Sequence, residues 1–212
     1  MLVWTDLETT GLDPKECCVL EVAAIVTDDA LNEVARFERV VYYPCAEKLA
    51  HLKGDEPEEV IATLAAEVKV HPRVVRMHAK NGLWDACAKS AHTRADVDFE
   101  FAEFVKNTSV IEKKNDKGEV WLDRAQLAGS TISFDRSFIA SDLPKALKEL
   151  HYHNVDVTTL NELARRFWPA IHKTRPVDSH SSHRGMSDIE ESIAVCKHYL
   201  ATLAPVAAPV AP

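Results

Sequence analysis

The 212-residue sequence lacks the features of a membrane, a secreted or a broadly polyanion-binding protein. No apolar run approaches the roughly 20 residues that a membrane-spanning helix needs. The five cysteines include no C-x-x-C pair and no zinc spacing, and no basic and apolar leader stands at the N-terminus. A net charge of −8 argues against a broad surface for long polyanions. We therefore expect a soluble protein of a reducing cytoplasm, which would handle any nucleic acid through a small, local site.

The composition favours one domain followed by a short tail. Apolar residues make up 46% of the chain, which is enough for a single core. We predict one domain over residues 1–203, with a possible insertion at 45–71 that contains a helix-like run, PEEVIATLAAEV. Residues 204–212, APVAAPVAP, are a low-complexity tail that cannot bury a core, and we expect them to be disordered.

The hydrophobic pattern predicts strands first and then helices alternating with strands. Residues 2–6, 19–27 and 33–43 are rich in Val, Ile and Tyr, and turn signals separate them, which indicates an antiparallel meander. This order of elements favours a mixed sheet with helices packed on it. The later predictions are helices at 72–80 and 95–107, a polar loop at 111–119, a buried strand at 125–130, a helix that Pro144 ends, a strand that Thr158 caps into a helix, and a last helix from about Ser187 to Leu203.

Two acids stand close together in the opening stretch WTDLETTGLDP. Side chains alternate along a strand, so Asp6 and Glu8 would share one face while Leu7 enters the core. Two carboxylates on one face repel each other unless a cation lies between them. The pair alone is also compatible with a solvated strand edge.

Two further acids occur where a predicted helix begins. Asp135 follows a buried strand in GSTISFDRSF, and Asp188 follows His183 by five residues in HRGMSDIEESI. Either acid alone is compatible with capping or with the favourable charge of a first helical turn. Together the four acids form an oxygen-only set that suits Mg²⁺ or Mn²⁺ better than zinc. A nearby histidine is suited to take a proton from water near neutral pH.

The order and spacing of these residues resemble the histidine-bearing branch of the DEDD exonuclease superfamily, and within it the oligoribonuclease family. The resemblance covers residues 2 to about 201. It rests on the acids and on four blocks in the family's order: WTDLETTGLDP, VRMHAKNGL, HYHNVDVTTLNELARR and HRGMSDI. It implies an RNase H-like α/β fold, in which a mixed five-stranded sheet has helices on both faces.

The resemblance also implies a catalytic set. Two divalent cations, Mg²⁺ or Mn²⁺, would be held by Asp6, Glu8, Asp135 and Asp188, and His183 would be the general base. In the branch that uses a tyrosine, that tyrosine would stand where this chain has Arg184, and His180 lies too far back to match. The implied reaction removes nucleoside 5′-monophosphates from the 3′ end of short RNA.

Further residues would bind the substrate, according to the same resemblance. Leu12 would wedge between bases and His78 would lie beside the substrate, although Leu12 is equally compatible with core packing and His78 with a helix surface. In a homodimer, Tyr152 would enter the partner's site, and His153 and Thr158 would lie near the 5′ phosphate. The chain departs from the family at three positions: His153 replaces Arg, Ser130 replaces Asn, and Phe134 replaces Gln.

Two other functions stay open on the sequence alone. One is a general 3′-to-5′ exonuclease for longer single-stranded RNA or DNA, which would need a basic and aromatic groove. The chain shows no obvious groove of this kind, apart from a small cluster of lysines in KNTSVIEKKNDKG. The other is a non-catalytic nucleic-acid-binding module on the same fold. The complete set of acids argues against that module, because without catalysis there is no physical reason to keep repelling carboxylates together.

Overall fold

The computed structural model describes residues 1–176 and 184–203. In this part of the chain the strands are β1 (Leu2–Thr9), β2 (Val19–Thr27), β3 (Glu33–Val40), β4 (Ile111–Lys114), β5 (Val120–Asp123), β6 (Gln126–Gly129) and β7 (Asn154–Asp156). The helices are a 3-10 helix (Pro44–Lys48), α1 (Glu58–Val68), α2 (Pro72–Lys80), α3 (Leu83–Lys89), α4 (Arg94–Ser109), α5 (Ser133–Asp142), α6 (Pro144–Glu149), α7 (Val157–Phe167), α8 (Pro169–Lys173) and α9 (Gly185–Leu203). Among these helices, none combines the length and the apolar character that crossing a membrane requires.

Five strands form one mixed sheet in the order β3-β2-β1-β6-β7. The first three are antiparallel, whereas β6 pairs parallel to β1 and β7 parallel to β6. The predicted meander and the predicted five-stranded mixed sheet are confirmed. The strand bounds differ slightly, because β1 continues through Thr9 and β3 already ends at Val40.

Helices cover both faces of the sheet, as the fold class requires. On one face, residues of α4 and α5 such as Phe101 and Phe138 pack with Leu7. On the other face, residues of α7 and α9 such as Tyr199 pack with Trp4. Because neighbouring residues of β1 point to opposite faces, Asp6 and Glu8 lie on the face that α9 covers.

The segment before α4 forms a small helical layer of its own. The 3-10 helix and α1 to α3 share a core that includes Leu49, Ile61 and Trp84, and this core packs against Leu20 of β2. The helix-like run within 45–71 is therefore a helix, α1. That this segment is an insertion stays a prediction, and the predicted tail 204–212 lies outside the described residues.

The predicted polar loop at 111–119 is wrong. Residues Ile111–Lys114 and Val120–Asp123 pair as an antiparallel hairpin. Its turn is built by Asn115, whose side-chain oxygen accepts hydrogen bonds from the backbone N–H groups of Lys117 and Glu119, and by Gly118 at a positive φ of 83°. Both strands are largely exposed, so no buried apolar face marks them in the sequence.

Two predicted helix boundaries also need correction. Thr158 lies inside α7, and the N-cap is Asp156, whose carboxylate accepts the Thr158 N–H at 2.8 Å. Aspartate is at least as good an N-cap residue as threonine, because its carboxylate also accepts a backbone N–H of the first turn. Pro144 does not simply end a helix. Helix α5 ends at Asp142, and Pro144 begins α6, since proline is well suited to a first helical turn.

Candidate active site

The site is built at the end of β1, where two acids share a face. Asp6 and Glu8 point toward α9, while Leu7 between them is buried in the opposite core. Strand β1 is held between β2 and β6 in the middle of the sheet. The two carboxylates therefore project from a backbone that is paired on both sides.

Helix α9 brings a third acid to this pair. Asp188 lies in its first turn, and carboxylate oxygens of Asp6, Glu8 and Asp188 lie within 4.8 Å of one another. The close approach depends on Gly185, at the start of α9. A Cβ at this position would lie 2.7 Å from the Ala23 Cβ and 3.1 Å from the Asp6 carbonyl oxygen. The missing side chain thus lets the helix reach the sheet.

Asp135 reaches the same strand from the other side of β1. It stands in the first turn of α5, and its Oδ1 accepts the backbone N–H of Leu7 at 2.9 Å. Among the neighbouring carboxylates, Asp135 raises the pKa of Asp6 the most. Asp135 is therefore close to the acid cluster electrostatically, although its oxygens are not part of the three-acid group.

Burial and mutual repulsion make these acids hold their protons. Burial, followed by the neighbouring carboxylates, raises the pKa of Asp6 well above its ordinary range. Burial and then the charge of Glu21 raise the pKa of Glu8 to about 8. Burial raises the pKa of Asp135 to about 7, against the effect of the Leu7 hydrogen bond. Without a cation, the site resists becoming fully ionised at neutral pH.

The donor set fits divalent metal ions. The gathered ligand atoms are carboxylate oxygens, which Mg²⁺ and Mn²⁺ prefer and which zinc sites supplement with His or Cys. A cation between the acids would also remove the repulsion that raises their pKa values. This acidic cluster is therefore suited to hold divalent metal ions.

The predicted general base, His183, lies outside the described residues, as does His180. The next residue, Arg184, is described. Its guanidinium donates to the carboxylate of Glu21 on β2, with a shortest distance of 2.6 Å. The sequence patterns did not indicate that Glu21 lies beside the acids. The only signal was one charged residue among the apolar residues of the strand VLEVAAIVT, which ends in a threonine.

Leu12 and His78 lie in surroundings that the sequence left open. Leu12 is 82% exposed in the loop after β1, so core packing does not explain it. His78 is fully buried on α2 and does not stand on a helix surface. Its Nε2 lies 3.1 Å from the Thr9 carbonyl oxygen and 3.9 Å from Glu8 Oε2, and its ring meets Trp84 edge-on at 5.2 Å. His78 thus adjoins one of the acids.

Ser130 and Thr158 occupy the ends of the parallel strands. Ser130 lines a cavity of about 330 Å³ together with Asp6 and Asp188, and its hydroxyl lies 2.9 Å from that of Ser192 on α9. The hydroxyl of Thr158 accepts the backbone N–H of Thr131 at 2.9 Å. The structure therefore places Ser130 beside the acids and Thr158 at the neighbouring strand end.

Tyr152 and His153 project from the segment before β7. Tyr152 is 77% exposed and has ring neighbours on either side, His151 at 4.4 Å and His153 at 4.2 Å. Arg136, the residue after Asp135, holds this segment by donating to the Asn154 side chain at 2.6 Å and to the His151 carbonyl at 2.5 Å. Tyr152 and His153 are therefore both exposed at the surface of the described chain.

Comparison with known proteins gives a consistent result. The family model described as RNase_T: Exonuclease matches residues 3–196. The oligoribonuclease of Corynebacterium glutamicum is 34% identical over 198 residues, which cover 93% of this chain and 77% of that protein. The mitochondrial oligoribonuclease of Homo sapiens is 30% identical over the same length and is covered to 71%.

Among solved structures, exonuclease I of E. coli shares the fold. Its complex with a dT13 oligonucleotide has a TM-score of 0.57 at 14% identity and is matched over 97% of this chain. A zinc-bound complex with single-stranded DNA has a TM-score of 0.60 at the same identity. The present chain spans only about two fifths of those proteins, 42% and 41%. At this identity the likeness concerns the fold alone.

Proposed function

The chain belongs to the RNase T exonuclease family, and within it to the oligoribonucleases of the DEDD superfamily; on that premise we propose that it is a 3′-to-5′ exoribonuclease of short RNA. Residues 1–203 would form its single exonuclease domain. The observation that carries the proposal is the gathering of Asp6, Glu8 and Asp188 within 4.8 Å on one face. The products would be nucleoside 5′-monophosphates. The predicted compartment is the cytoplasm, although mammalian relatives are named mitochondrial.

Asp6, Glu8, Asp135 and Asp188 would hold two divalent cations, Mg²⁺ or Mn²⁺. Bound there, the cations supply Lewis-acid stabilisation of the charge that develops on the attacking and leaving oxygens of a phosphodiester. The chain's own contribution is to hold the acids on rigid elements, so that no reorganisation is needed during the reaction. His183 would take the proton of the attacking water, a role that suits an imidazole near neutral pH.

Side chains around the acids would select a short substrate. The exposed Leu12 would wedge between bases and the buried His78 would border the terminal nucleotide beside Glu8. Ser130 would contact the substrate from the cavity it shares with Asp6 and Asp188. These contacts reach only the last nucleotides of an RNA strand. The net charge of −8 accords with this, because binding of a longer strand relies on a positively charged groove.

A second copy of the chain would complete the site. The exposed Tyr152 would reach the partner's substrate, with His153 and Thr158 near the 5′ phosphate. Histidine at this position lacks the permanent charge and the two parallel hydrogen bonds that an arginine would offer. We therefore expect weaker selection for a 5′ phosphate here than an arginine would give.

The test is a time course with 5′-labelled RNAs of two, seven and about twenty nucleotides, in Mn²⁺ and in EDTA. We expect the dinucleotide to disappear fastest, and only with metal, because the recognition groups lie within a few nucleotides of the acids. The Asp6→Ala variant, which loses one metal ligand, should be inactive and still folded. Rapid trimming of the twenty-mer with accumulating dinucleotide would instead identify a general exonuclease. No metal-dependent hydrolysis at all would leave a non-catalytic binding module.

A further inference from the structure

A buried ion pair joins the central sheet to the start of α9. Glu21 on β2 is 0% exposed, and its two carboxylate oxygens accept Arg184 Nε at 3.1 Å each. Arg184 Nη2 donates to the same carboxylate at 2.6 Å. The guanidinium fork is thus engaged by one carboxylate, while about a third of the Arg184 side chain, 32%, stays exposed.

Stability alone gives little reason for this pair. Every residue of β2 is buried, and the residues beside Glu21 are apolar. Replacing a buried ion pair by apolar residues of similar size is often neutral or stabilising, because desolvation offsets the attraction of the charges. A charged residue at this place therefore calls for a role that an apolar residue could not fill.

The pair stands directly against the acid cluster. Glu21 is the cross-strand partner of Glu8, and the residue two further along β2, Ala23, is the partner of Asp6. The negative charge of Glu21 acts on Glu8, and the positive charge of Arg184 opposes it. Arg184 itself stands four residues before Asp188, and its carbonyl accepts the Asp188 N–H at 3.4 Å. One ion pair therefore touches the strand with Glu8 and the helix with Asp188.

We propose that Glu21 and Arg184 are positioning residues, which fix the first turn of α9 against β1 and β2 and keep the charge beside the metal ligands neutral. This inference rests on the proposed function, since it assumes that the acids bind divalent cations. The carboxylate of Glu21 binds the guanidinium of Arg184, and Arg184 in turn fixes the position of the backbone from which Asp188 projects.

The two tasks of the pair predict different consequences for two variants. In Glu21→Gln, Arg184 keeps its charge without a counter-charge and repels the incoming cation, so Mn²⁺ binding should weaken by about tenfold. In Glu21→Gln combined with Arg184→Met, both charges are gone, and Mn²⁺ binding should return to near the wild-type value. Turnover of the double variant should still fall by about tenfold, because α9 has lost its anchor.

The experiment measures Mn²⁺ binding to the full chain by isothermal titration, and turnover of a dinucleotide in parallel. The exposed pair Lys113–Asp123 offers the matched control, because its side chains are 51% and 40% exposed and it lies in the β4–β5 hairpin, beside the end of β1 remote from the acids. Asp123→Asn, alone and with Lys113→Met, should change neither quantity. Thermal unfolding of every variant shows which ones are folded.

The outcomes distinguish a failure of the proposed function from a failure of the role proposed for the Glu21–Arg184 pair. If wild-type binding is absent, or if Asp6→Ala leaves it intact, the proposed function fails. If Asp6→Ala abolishes binding while Glu21→Gln and the double variant bind equally well or equally badly, the charge-neutralising role is refuted. If Glu21→Gln does not fold, the double variant still decides the anchoring role, because wild-type turnover in it would overturn that role. Arg184→Lys keeps the charge but lacks the fork, and should bind Mn²⁺ normally with reduced turnover.

Discussion

Raising the pH should destabilise the metal-free protein. In the unfolded chain, Glu8 ionises at its ordinary pKa of 4.5, whereas burial and the charge of Glu21 raise its pKa in the folded protein to about 8. Asp135 behaves alike, with a folded-state pKa of about 7 against 3.8. Between these values the folded state binds more protons than the unfolded state. The free energy of unfolding must therefore fall as pH rises from about 4.5 to about 8.

The size of the effect follows from the Glu8 pKa. Each pH unit across which one extra proton is bound contributes about 1.4 kcal/mol, and near each of the two pKa values the extra proton is only partly bound, so Glu8 alone accounts for a loss of about 4 kcal/mol between about pH 4.5 and about pH 8. A typical domain has only about 5–15 kcal/mol of stability in total, so this loss is readily measured. Divalent cations should reverse it, and Mn²⁺ at a hundred times its Kd should add about 2.7 kcal/mol at about pH 8.

The assay is urea unfolding at about pH 5 and about pH 8, in EDTA and in Mn²⁺. Glu8→Gln removes the titrating group, so we expect this variant to lose much less stability on going to high pH and to gain much less from Mn²⁺. Glu59→Gln changes an exposed glutamate on α1 and is the matched control. The reasoning would be refuted if wild type and Glu8→Gln lost the same stability between the two pH values in EDTA.

Three further predictions follow from single contacts. Asp156→Ala removes the N-cap of α7 and a hydrogen bond to the Thr131 N–H, and should lower the free energy of urea unfolding by about 1–2 kcal/mol; an unchanged midpoint would contradict the cap. Arg136→Met frees the segment that presents Tyr152, so the KM for a dinucleotide should rise while titrated Mn²⁺ binding stays constant; equal loss of both would indicate general unfolding. Trp121→Ser alters the β4–β5 hairpin, which leads into β6 beside the end of β1 that is remote from the acids. We therefore expect turnover to stay unchanged, and a marked loss would show that this hairpin belongs to the functional surface.

Local patterns account for the parts of the fold that the sequence predicted well. Val-rich and Ile-rich runs between turn signals predicted the β1–β2–β3 meander, because a strand and its turn are set by neighbours in the chain. The helix near 95–107 was predicted from its apolar period, and the structure adds a capping box between Thr93 and Asp96. The exposed hairpin at 111–123 was missed, because neither of its faces is consistently apolar.

The candidate site was predictable as a set of residues but not as an arrangement. The order and spacing of Asp6, Glu8, Asp135 and Asp188 already indicated a family with metal-dependent chemistry. The sequence did not reveal that His78 is buried 3.9 Å from Glu8, since its helical period allowed a surface position equally well. It also gave Leu12 two possible environments, and the exposure of this side chain decides between them.

By itself, the sequence determined the β1–β2–β3 meander, the helix near 95–107 and the acids that the chain carries, because strand and helix periods and motif spacing are properties of residues close in the chain. Only the tertiary structure decided that Glu21 on β2 lies directly opposite Glu8 on the neighbouring strand β1, and that Arg184 contacts Glu21 although 163 residues separate them in the chain. Pairing register and helix docking depend on how distant apolar faces are buried together. The charge balance beside the acids is therefore a consequence of the folded packing, and no local pattern encodes it.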